Sequence, residues 1–167
     1  MNICIREWKN DDKYALAEII TPNILKNLRD GIPWPYTVDD AEFFINAVKR
    51  EIKEKTAISF AIYADDRLAG SITAYRGGNI HYRTAELGYY IGEKFQGKGI
   101  ASEAVRQFCD YVFDKTDIIR LYAEPFSYNK ASCRVLEKAG FKLEGTLHSN
   151  AVKDGQILDM LMYARIK

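Results

Sequence analysis

Residues 86–109, ELGYYIGEKFQGKGIASEAVRQFC, pass from an apolar strand through a glycine-spaced turn into an amphipathic helix that begins near Gly97. Gly97 and Gly99 allow the backbone of the turn to approach a ligand closely. The helix behind them directs its free N–H groups and the positive end of its dipole to the same point. This arrangement predicts an anion site with phosphate groups as the expected ligands. A tight strand-to-helix turn without a ligand is the alternative interpretation.

Three phosphate-binding patterns use glycines of this kind, and the residues around Lys98 separate them. A Walker A loop requires Ser or Thr after its lysine, whereas Lys98 is followed by Gly99. A dinucleotide fingerprint requires a third glycine where this chain has Ser102. The remaining pattern, Gln-x-x-Gly-x-Ala after a strand, resembles the coenzyme A pyrophosphate loop of the GNAT superfamily of N-acetyltransferases. That resemblance makes acyl transfer the leading interpretation.

Size and charge limit the class of protein. The 167 residues predict one domain spanning residues 1–167, with a core that needs no disulfide or metal to hold it. Lys and Arg total 24 against 23 Asp and Glu, so the net charge is +1. A balance so near neutrality gives no reason to expect a nucleic-acid or membrane partner, and any affinity for phosphate must be local.

The cysteines and the apolar runs predict a compartment. Cys4, Cys109 and Cys133 stand far apart without a Cys-x-x-Cys pair. This pattern is typical of reduced core thiols in a cytosolic protein, with a redox role as the alternative. Charged residues near the N-terminus interrupt any apolar signal core, and no later run approaches the roughly 20 apolar residues of a membrane span. We therefore expect a soluble, cytoplasmic protein.

Apolar periodicity and turn residues predict the order of strands and helices. Thr37 and Asp40 form a capping-box pattern at the start of a helix, and Asp65 and Asp66 form the turn of an antiparallel hairpin. An earlier helix is expected to turn Tyr14, Ala17 and Ile20 inward. The predicted strands are 2–8, 56–63, 67–75, 82–92 and 118–124 with a final hairpin within 141–166, and helices are predicted at 11–20, 37–55, after the glycine turn and at 129–139. This order favours an α/β fold with a mixed sheet.

The helical pattern fails between residues 21 and 36. Trp34 and Tyr36 alternate there with Pro33 and Pro35, which predicts a short helical piece followed by a stiff loop bearing large aromatic side chains. Such a loop either covers a hydrophobic core or forms one wall of a ligand cleft.

The strand at residues 82–92 places Glu86, Gly88, Tyr90 and Gly92 on one face, because successive side chains alternate across a sheet. The two glycines are expected to leave space beside the Glu86 carboxylate. That face is either part of a cleft or an exposed polar surface with a solvated glutamate.

The helix that starts at Asn129 has clear signals at both ends. Asn129 is a favourable N-cap, and Gly140 is a favourable residue just past the last turn. Ser132 lies in the first turn on the same face as Val135 and Leu136. Its hydroxyl is therefore turned inward, either as a functional group or as a buried serine that bonds a backbone carbonyl.

Residues 129–141 read Asn-x-x-Ser-x-x-Val-Leu-Glu-Lys-x-Gly-Phe and follow the Gln-x-x-Gly-x-Ala turn. Together the two motifs resemble the branch of the GNAT superfamily that includes the RimJ/RimL-type ribosomal-protein N-terminal acetyltransferases. The likeness extends to residues 33–37 and 85–89 and to Gly155, Asp159 and Tyr163, and so covers most of the chain. It implies a mostly antiparallel central sheet flanked by helices, with a splayed strand pair at the cofactor cleft. It also implies acetyl-CoA as co-substrate and an amine as acceptor.

The resemblance assigns roles to individual residues. Acetyl-CoA is expected to contact Ile91, Gly92, Gln96, Gly97, Lys98, Gly99, Ile100, Ala101, Ser102 and Asn129. The acceptor is expected to contact Trp34, Tyr36, Tyr90 and His148. No metal is expected, since neither His81 nor His148 has a partner at metal-ligand spacing.

The expected catalytic residues are Glu86 as base and Ser132 as acid. Many superfamily members carry a tyrosine seven residues after the motif asparagine, where this chain has Leu136. The RimL-like branch suggests Ser132, one turn earlier, as the group that assists the leaving thiolate. The resemblance also implies that a backbone N–H near Ile91 holds the oxyanion.

These residues predict an N-acetyltransferase whose acceptor is a primary amine, with the α-amino group of a protein or peptide preferred. A small amine, such as a polyamine, an amino sugar or an amino acid, is the first alternative. A CoA-binding module without turnover is the second, and the retention of Glu86, Ser132 and the glycine turn argues against it. The protein is expected to be a monomer or a homodimer.

Overall fold

The structure, a computed structural model, describes residues 1–167 as seven strands and five α-helices. The strands are β1 (Ile3–Arg6), β2 (Ala57–Ala64), β3 (Arg67–Arg76), β4 (Thr84–Ile91), β5 (Arg120–Ala123), β6 (Lys142–Lys153) and β7 (Gln156–Ile166). The helices are α1 (Asp12–Ile19), α2 (Pro22–Leu25), α3 (Val38–Lys53), α4 (Ile100–Lys115) and α5 (Lys130–Lys138). The strands form one sheet in the order β1-β2-β3-β4-β5-β7-β6, in which only the β4–β5 pair is parallel. The predicted mixed, mostly antiparallel sheet is confirmed.

The parallel pair separates part-way along its length. β4 and β5 pair at three positions, of which Glu86 opposite Tyr122 is the last. β5 then ends at Ala123, whereas β4 continues to Ile91. Residues 87–91 of β4 therefore have no strand partner on that side, which confirms the predicted splayed pair.

Local sequence signals account for several element boundaries. The Thr37 side chain accepts a hydrogen bond from the Asp40 N–H, and the Asp40 carboxylate accepts one from the Thr37 N–H, so the predicted capping box starts α3. Asp65 and Asp66 both have positive φ, at 47° and 60°, as the tight turn between β2 and β3 requires.

Two apolar cores lie on opposite faces of the sheet. The larger packs α4 and α5 against β2–β5 and includes the fully buried Phe108, Ile72 and Leu121. The smaller packs α1 and α3 against the other face, around Trp8 and Ile45. Because side chains alternate between the two faces of a strand, β2 and β4 each contribute side chains to both cores.

The predicted inward face of α1 is wrong in part. Tyr14 is 59% exposed, whereas Asp12, Leu16 and Ile19 are the buried residues of this helix. Asp12 turns inward because its carboxylate accepts hydrogen bonds from the Tyr63 hydroxyl and the Lys9 N–H. These contacts rotate the helix away from the face that its apolar spacing indicated.

The start of α4 also differs from the prediction. The helix begins at Ile100 and not near Gly97, because Gly97 and Gly99 adopt φ of 72° and 76°, outside the right-handed helical region. Ile100 is buried beneath the turn and Ala101 is only half-buried. None of the helices combines the length and the apolar character that crossing a bilayer demands.

Candidate active site

The glycine turn forms an open cradle at the N-terminus of α4. Gly99 is the N-cap residue and provides no side chain to bond the first-turn N–H groups. A Cβ placed on Gly97 or Gly99 would meet no protein atom within 4 Å. The N–H groups and positive dipole end of this 16-residue helix therefore face accessible space, as a bound phosphate requires. All seven residues of the predicted anion site, 96–102, lie in this turn and in the first helical turn.

Side chains of the turn tie it to its own backbone. The Gln96 amide donates to the Ile91 carbonyl at 3.0 Å, and the Lys98 ammonium donates to the Lys94 carbonyl at 2.8 Å. Gln96 thus joins the turn to the end of β4, and Lys98 closes the loop before the helix. Both contacts span at most five residues of the chain.

The free edge of β4 presents backbone groups to the same opening. The Gly92 N–H bonds the Ala69 carbonyl on the β3 side, and the Arg83 carbonyl accepts from the Ile119 N–H on the β5 side. Backbone groups alternate between the two sides of a strand. The N–H groups of Tyr89 and Ile91 therefore point into the gap that β5 leaves.

One of the two glycines beside Glu86 leaves space and the other does not. A Cβ on Gly88 would meet nothing within 4 Å, whereas one on Gly92 would lie 3.2 and 3.3 Å from carbons of the Ile19 side chain. The expectation of open space is right for Gly88 and wrong for Gly92, because α1 packs against the latter.

Glu86 forms an ion triad with two residues that the sequence analysis did not single out. The Arg29 guanidinium bonds the Glu86 carboxylate and also donates to Glu124 at 3.3 Å. The Glu86 and Glu124 side chains are 28% and 19% exposed, and Arg29 is 59% exposed. Burial, and then the negative charge of Glu86, raise the pKa of Glu124 above its ordinary value. The structure therefore holds two adjacent carboxylates with one cation between them.

A depression of about 290 Å³ opens beside this triad. Arg29 and Glu124 line it together with the segment Asn150–Lys153 of β6. The pairing of β6 with β7 is irregular between Leu147 and Ala151, next to this segment. Arg29 joins this depression to Glu86. The depression is the candidate acceptor side, and the cradle with the free edge of β4 is the candidate cofactor side.

Two of the four predicted acceptor residues lie close together in the structure. Tyr36 and Tyr90 are half-buried and pack against the smaller core, and burial raises the pKa of Tyr36 to about 12. Trp34 is 56% exposed. His148 is exposed on β6, where its Nδ1 lies 3.2 Å from Asp159, whose pKa is lowered first by the Ser149 N–H and then by His148.

Ser132 lies at the first turn of α5, in contact with a phenol from β4. Asn129 caps this helix, since its side-chain oxygen accepts from the Ser132 N–H at 3.2 Å, and its amide nitrogen stays available to a ligand. The Ser132 hydroxyl lies 2.8 Å from the Tyr89 hydroxyl. Tyr89 was not predicted as a site residue, although strand alternation places it on the inward face with Leu87 and Ile91.

Comparison with known proteins identifies the family. A model of the acetyltransferase (GNAT) domain matches residues 2–142. The uncharacterized N-acetyltransferase YnaD of Bacillus subtilis is 30% identical over 163 residues, covering 97% of this chain and 92% of its own. The chain belongs to the GNAT acetyltransferases. It is an acetyl-CoA-dependent N-acetyltransferase, as the sequence predicted.

Relatives within the GNAT family differ in acceptor. The ribosomal-protein-serine acetyltransferase of Escherichia coli is 29% identical over 142 residues, covering 83% of this chain and 79% of its own. A spermidine N(1)-acetyltransferase of the same species is 28% identical over 107 residues, covering 64% of this chain and 57% of its own. RimL, a ribosomal L7/L12 α-N-protein acetyltransferase solved with coenzyme A, superposes with a TM-score of 0.87 at 25% identity, over 98% of this chain and 93% of its own.

The open cradle fits the phosphates of the GNAT co-substrate. Helix α4 supplies donors and a positive dipole end, and the free edge of β4 supplies N–H groups for an extended amide chain such as that of pantetheine. Among residues 1–167, no three His, Cys, Asp or Glu side chains are grouped so that they could hold a metal ion.

Proposed function

We propose that this GNAT enzyme acetylates the α-amino group of a protein or peptide, by direct attack of the amine on acetyl-CoA in a ternary complex. The observation that carries the proposal is the position of Glu86. Its carboxylate lies at the last paired position of β4 and β5, where the strands part, beside the open space at Gly88. An amine that enters from the depression would meet this carboxylate before it reaches the free edge of β4.

Glu86 would serve as the base. An α-amino group has a pKa of about 8, so a useful fraction is neutral at physiological pH, whereas a lysine amine near 10.4 needs far more assistance. A carboxylate that receives the proton, directly or through a water molecule, is sufficient for the first kind of amine. The nitrogen then forms its bond to the acetyl carbon.

The Ile91 N–H would stabilise the oxyanion, because it points into the gap between β4 and β5 where the reacting carbonyl is expected to lie. The carbon–sulfur bond then breaks and its electron pair stays on sulfur. A thiol with a pKa of about 8.5 leaves as thiolate with little help, so the weakly acidic hydroxyl of Ser132 is adequate as its hydrogen-bond donor.

The co-substrate would lie with its pyrophosphate on the N–H groups between Gly97 and Ser102. There the left-handed glycines, the free first-turn donors and the helix dipole coincide. The Asn129 amide nitrogen would donate to the pantetheine arm while the oxygen of the same side chain caps α5.

Two observations bear on the acceptor. The likeness to the ribosomal-protein-serine acetyltransferase and to RimL covers more of the chain than the likeness to the spermidine enzyme, which favours a protein N-terminus. The adjacent carboxylates of Glu86 and Glu124 favour the second candidate, a small polyamine, because they would attract a second positive charge.

The test is a screen for thiol release from acetyl-CoA. The acceptors are short peptides beginning with Ser, Ala or Met, the same peptides with a formylated N-terminus, and spermidine, glucosamine and free amino acids. We expect thiol release with free peptides and none with the blocked peptides, together with mass-spectrometric acetylation of the α-amine. Turnover of spermidine alone would overturn the protein N-terminal assignment.

A further inference from the structure

We propose that Tyr89 is the positioning residue for Ser132: its phenol donates to the Ser132 hydroxyl oxygen and so directs the serine proton toward the sulfur that leaves. This inference rests on the proposed role of Ser132. Ser132 lies in α5 and Asn129 caps that helix, so Tyr89 would add a residue from β4 to this part of the site.

The contact is well defined on both sides. The Tyr89 hydroxyl lies 2.8 Å from the Ser132 hydroxyl oxygen and 3.2 Å from the Ser132 carbonyl oxygen. The Ser132 backbone is itself fixed, because its N–H donates to the Asn129 side chain. Tyr89 packs against the larger core on the inward face of β4. The two hydroxyls are thus held together by a strand and a capped helix.

Counting protons distinguishes two arrangements. Each hydroxyl has one proton to donate. If Tyr89 donates to the Ser132 carbonyl, the serine proton points back at the phenol. If Tyr89 donates to the serine oxygen, the serine proton is free to point elsewhere. The first arrangement makes both contacts hydrogen bonds, and the second makes only the shorter contact one. The negative charge that develops on sulfur selects the second arrangement, because a hydroxyl that donates to an anion forms a stronger hydrogen bond.

Tyr89 keeps its own proton throughout. Burial raises the pKa of the phenol above its ordinary value, which disfavours a tyrosinate at this position. The balance of the reaction needs none: nitrogen bonds to the acetyl carbon, the sulfur keeps the electron pair, and the proton lost by nitrogen passes to Glu86 and then to solvent. Ser132 donates a hydrogen bond to the thiolate, Tyr89 donates one to the Ser132 oxygen, and both hydroxyls keep their protons.

The position of Leu136 explains why the phenol comes from β4. Leu136 is fully buried one turn after Ser132, on the same face of α5. The helix therefore has an apolar side chain at the position where many members of the superfamily carry a tyrosine. Tyr89, on the strand that packs against α5, places its phenol beside Ser132 in the first turn of the helix.

The first experiment measures the thiol pKa of bound CoA, and it needs no acceptor. Ultraviolet absorbance of the thiolate is followed against pH for the complex, with the desulfo-CoA complex subtracted to remove tyrosine ionisation. We expect Ser132→Ala to raise the bound thiol pKa by about one unit and Tyr89→Phe by about half a unit, the range of one neutral hydrogen bond. Tyr163→Phe is the matched control, because its hydroxyl donates to Glu137 on the same helix at 2.9 Å without contacting Ser132. That variant should leave the thiol pKa unchanged.

The second experiment is a double-mutant cycle on turnover with the best acceptor found. We expect Ser132→Ala to lower kcat about 10-fold and Tyr89→Phe about 5-fold, with the KM for acetyl-CoA within about 2-fold of the parent. Because Tyr89 acts through Ser132, the double variant should be no slower than Ser132→Ala.

The outcomes separate the two proposals. Losses that multiply in the double variant, or a Tyr163→Phe effect as large as that of Tyr89→Phe, would make Tyr89 a merely structural residue. If Ser132→Ala slows turnover and Tyr89→Phe does not, only the inference about Tyr89 fails. If Ser132→Ala changes neither the thiol pKa nor kcat, the role of Ser132 in the proposed function fails with it.

Discussion

The two sides of the candidate site are built in different ways. On the cofactor side, the cradle is made by residues 96–102, and its stabilising contacts join residues at most five apart. On the acceptor side, Arg29 contacts Glu86 and Glu124 across 57 and 95 residues, and Lys153 bonds Asp30 across 123 residues. One side is set by local backbone conformation and the other by tertiary contacts.

The two sides also differ in the contacts that their functional groups make in the unliganded protein. The cradle presents free N–H groups and open space, so binding a phosphate requires no protein contact to break. The carboxylate proposed as base is already bonded to Arg29. This contact uses one carboxylate oxygen and leaves the other free to accept a proton, but an acceptor that carries positive charge must approach past the Arg29 cation. We infer that cofactor binding is preorganised and that acceptor binding is coupled to a local rearrangement.

The largest expected effect tests whether the cradle is preorganised. Gly99→Val should weaken CoA binding on the order of 10²-fold, because a β-branched residue at φ 76° is strained and its side chain enters the space meant for phosphate. Gly78→Val is the control, since Gly78 has equally open surroundings but an ordinary φ of −106°. Calorimetry on both folded proteins decides. Unchanged affinity in Gly99→Val would move the phosphate site elsewhere.

The next effect concerns the chemistry where the two sides meet. Glu86→Gln should lower kcat on the order of 10²-fold near neutral pH. The loss should shrink as pH rises past the amine pKa of about 8, since more of the acceptor is then already neutral. Glu144→Gln serves as control, because Glu144 is also paired with an arginine, Arg120, at another place on the sheet. A Glu86→Gln defect that stays constant from acid to alkaline pH would remove Glu86 as the base.

The smallest effect sharpens the account of the acceptor side. Arg29→Gln should lower the KM for the acceptor about 3-fold, because exposed ion pairs contribute about 0.2–1 kcal/mol and the acceptor no longer competes with the guanidinium. Arg106→Gln is matched to it: Arg106 also bridges two carboxylates, Glu103 and Asp110, and is 53% exposed. Initial rates against acceptor concentration give both values. A raised KM in Arg29→Gln would mean that Arg29 helps to hold the acceptor.

The same contrast explains what the sequence could predict. Gly97, Gly99, the Asn129 cap and the Thr37–Asp40 capping box all act within a few residues, so their local spacing was sufficient. Glu86 was predicted as the base because strand alternation, which is itself a local rule, places it on the same face as Gly88. Strand alternation also turns Tyr89 inward, and helical spacing turns Ser132 inward. These two predicted orientations were the signal that could have identified Tyr89 as a site residue.

Apart from the start of α4, which two left-handed glycines delay to Ile100, the errors lie where distant segments meet. Nothing near Arg29 in the sequence indicates a carboxylate 57 residues away. Ile19 fills the space beside Gly92 only because α1 packs there, and Asp12 turns inward because of Tyr63 on β2. The proximity of Glu124 to Glu86 can be inferred only when the register of β5 on β4 is known, because Glu124 lies two residues past Tyr122, the partner of Glu86. These features depend on contacts between residues far apart in the chain, which local sequence patterns do not predict.

The early end of the β4–β5 pairing gives an interior strand the character of a sheet edge. Unpaired N–H and C=O groups on an edge can template association with another chain, and natural proteins cover or interrupt such edges. Here a ligand would be the cover, and at 100-fold above its dissociation constant it would add about 2.7 kcal/mol to folding stability. The amides of Tyr89 and Ile91 would then exchange with solvent more slowly in the complex than in the free protein. Acetyl-CoA would thus protect the free edge of β4 from pairing with another chain, in addition to donating its acetyl group.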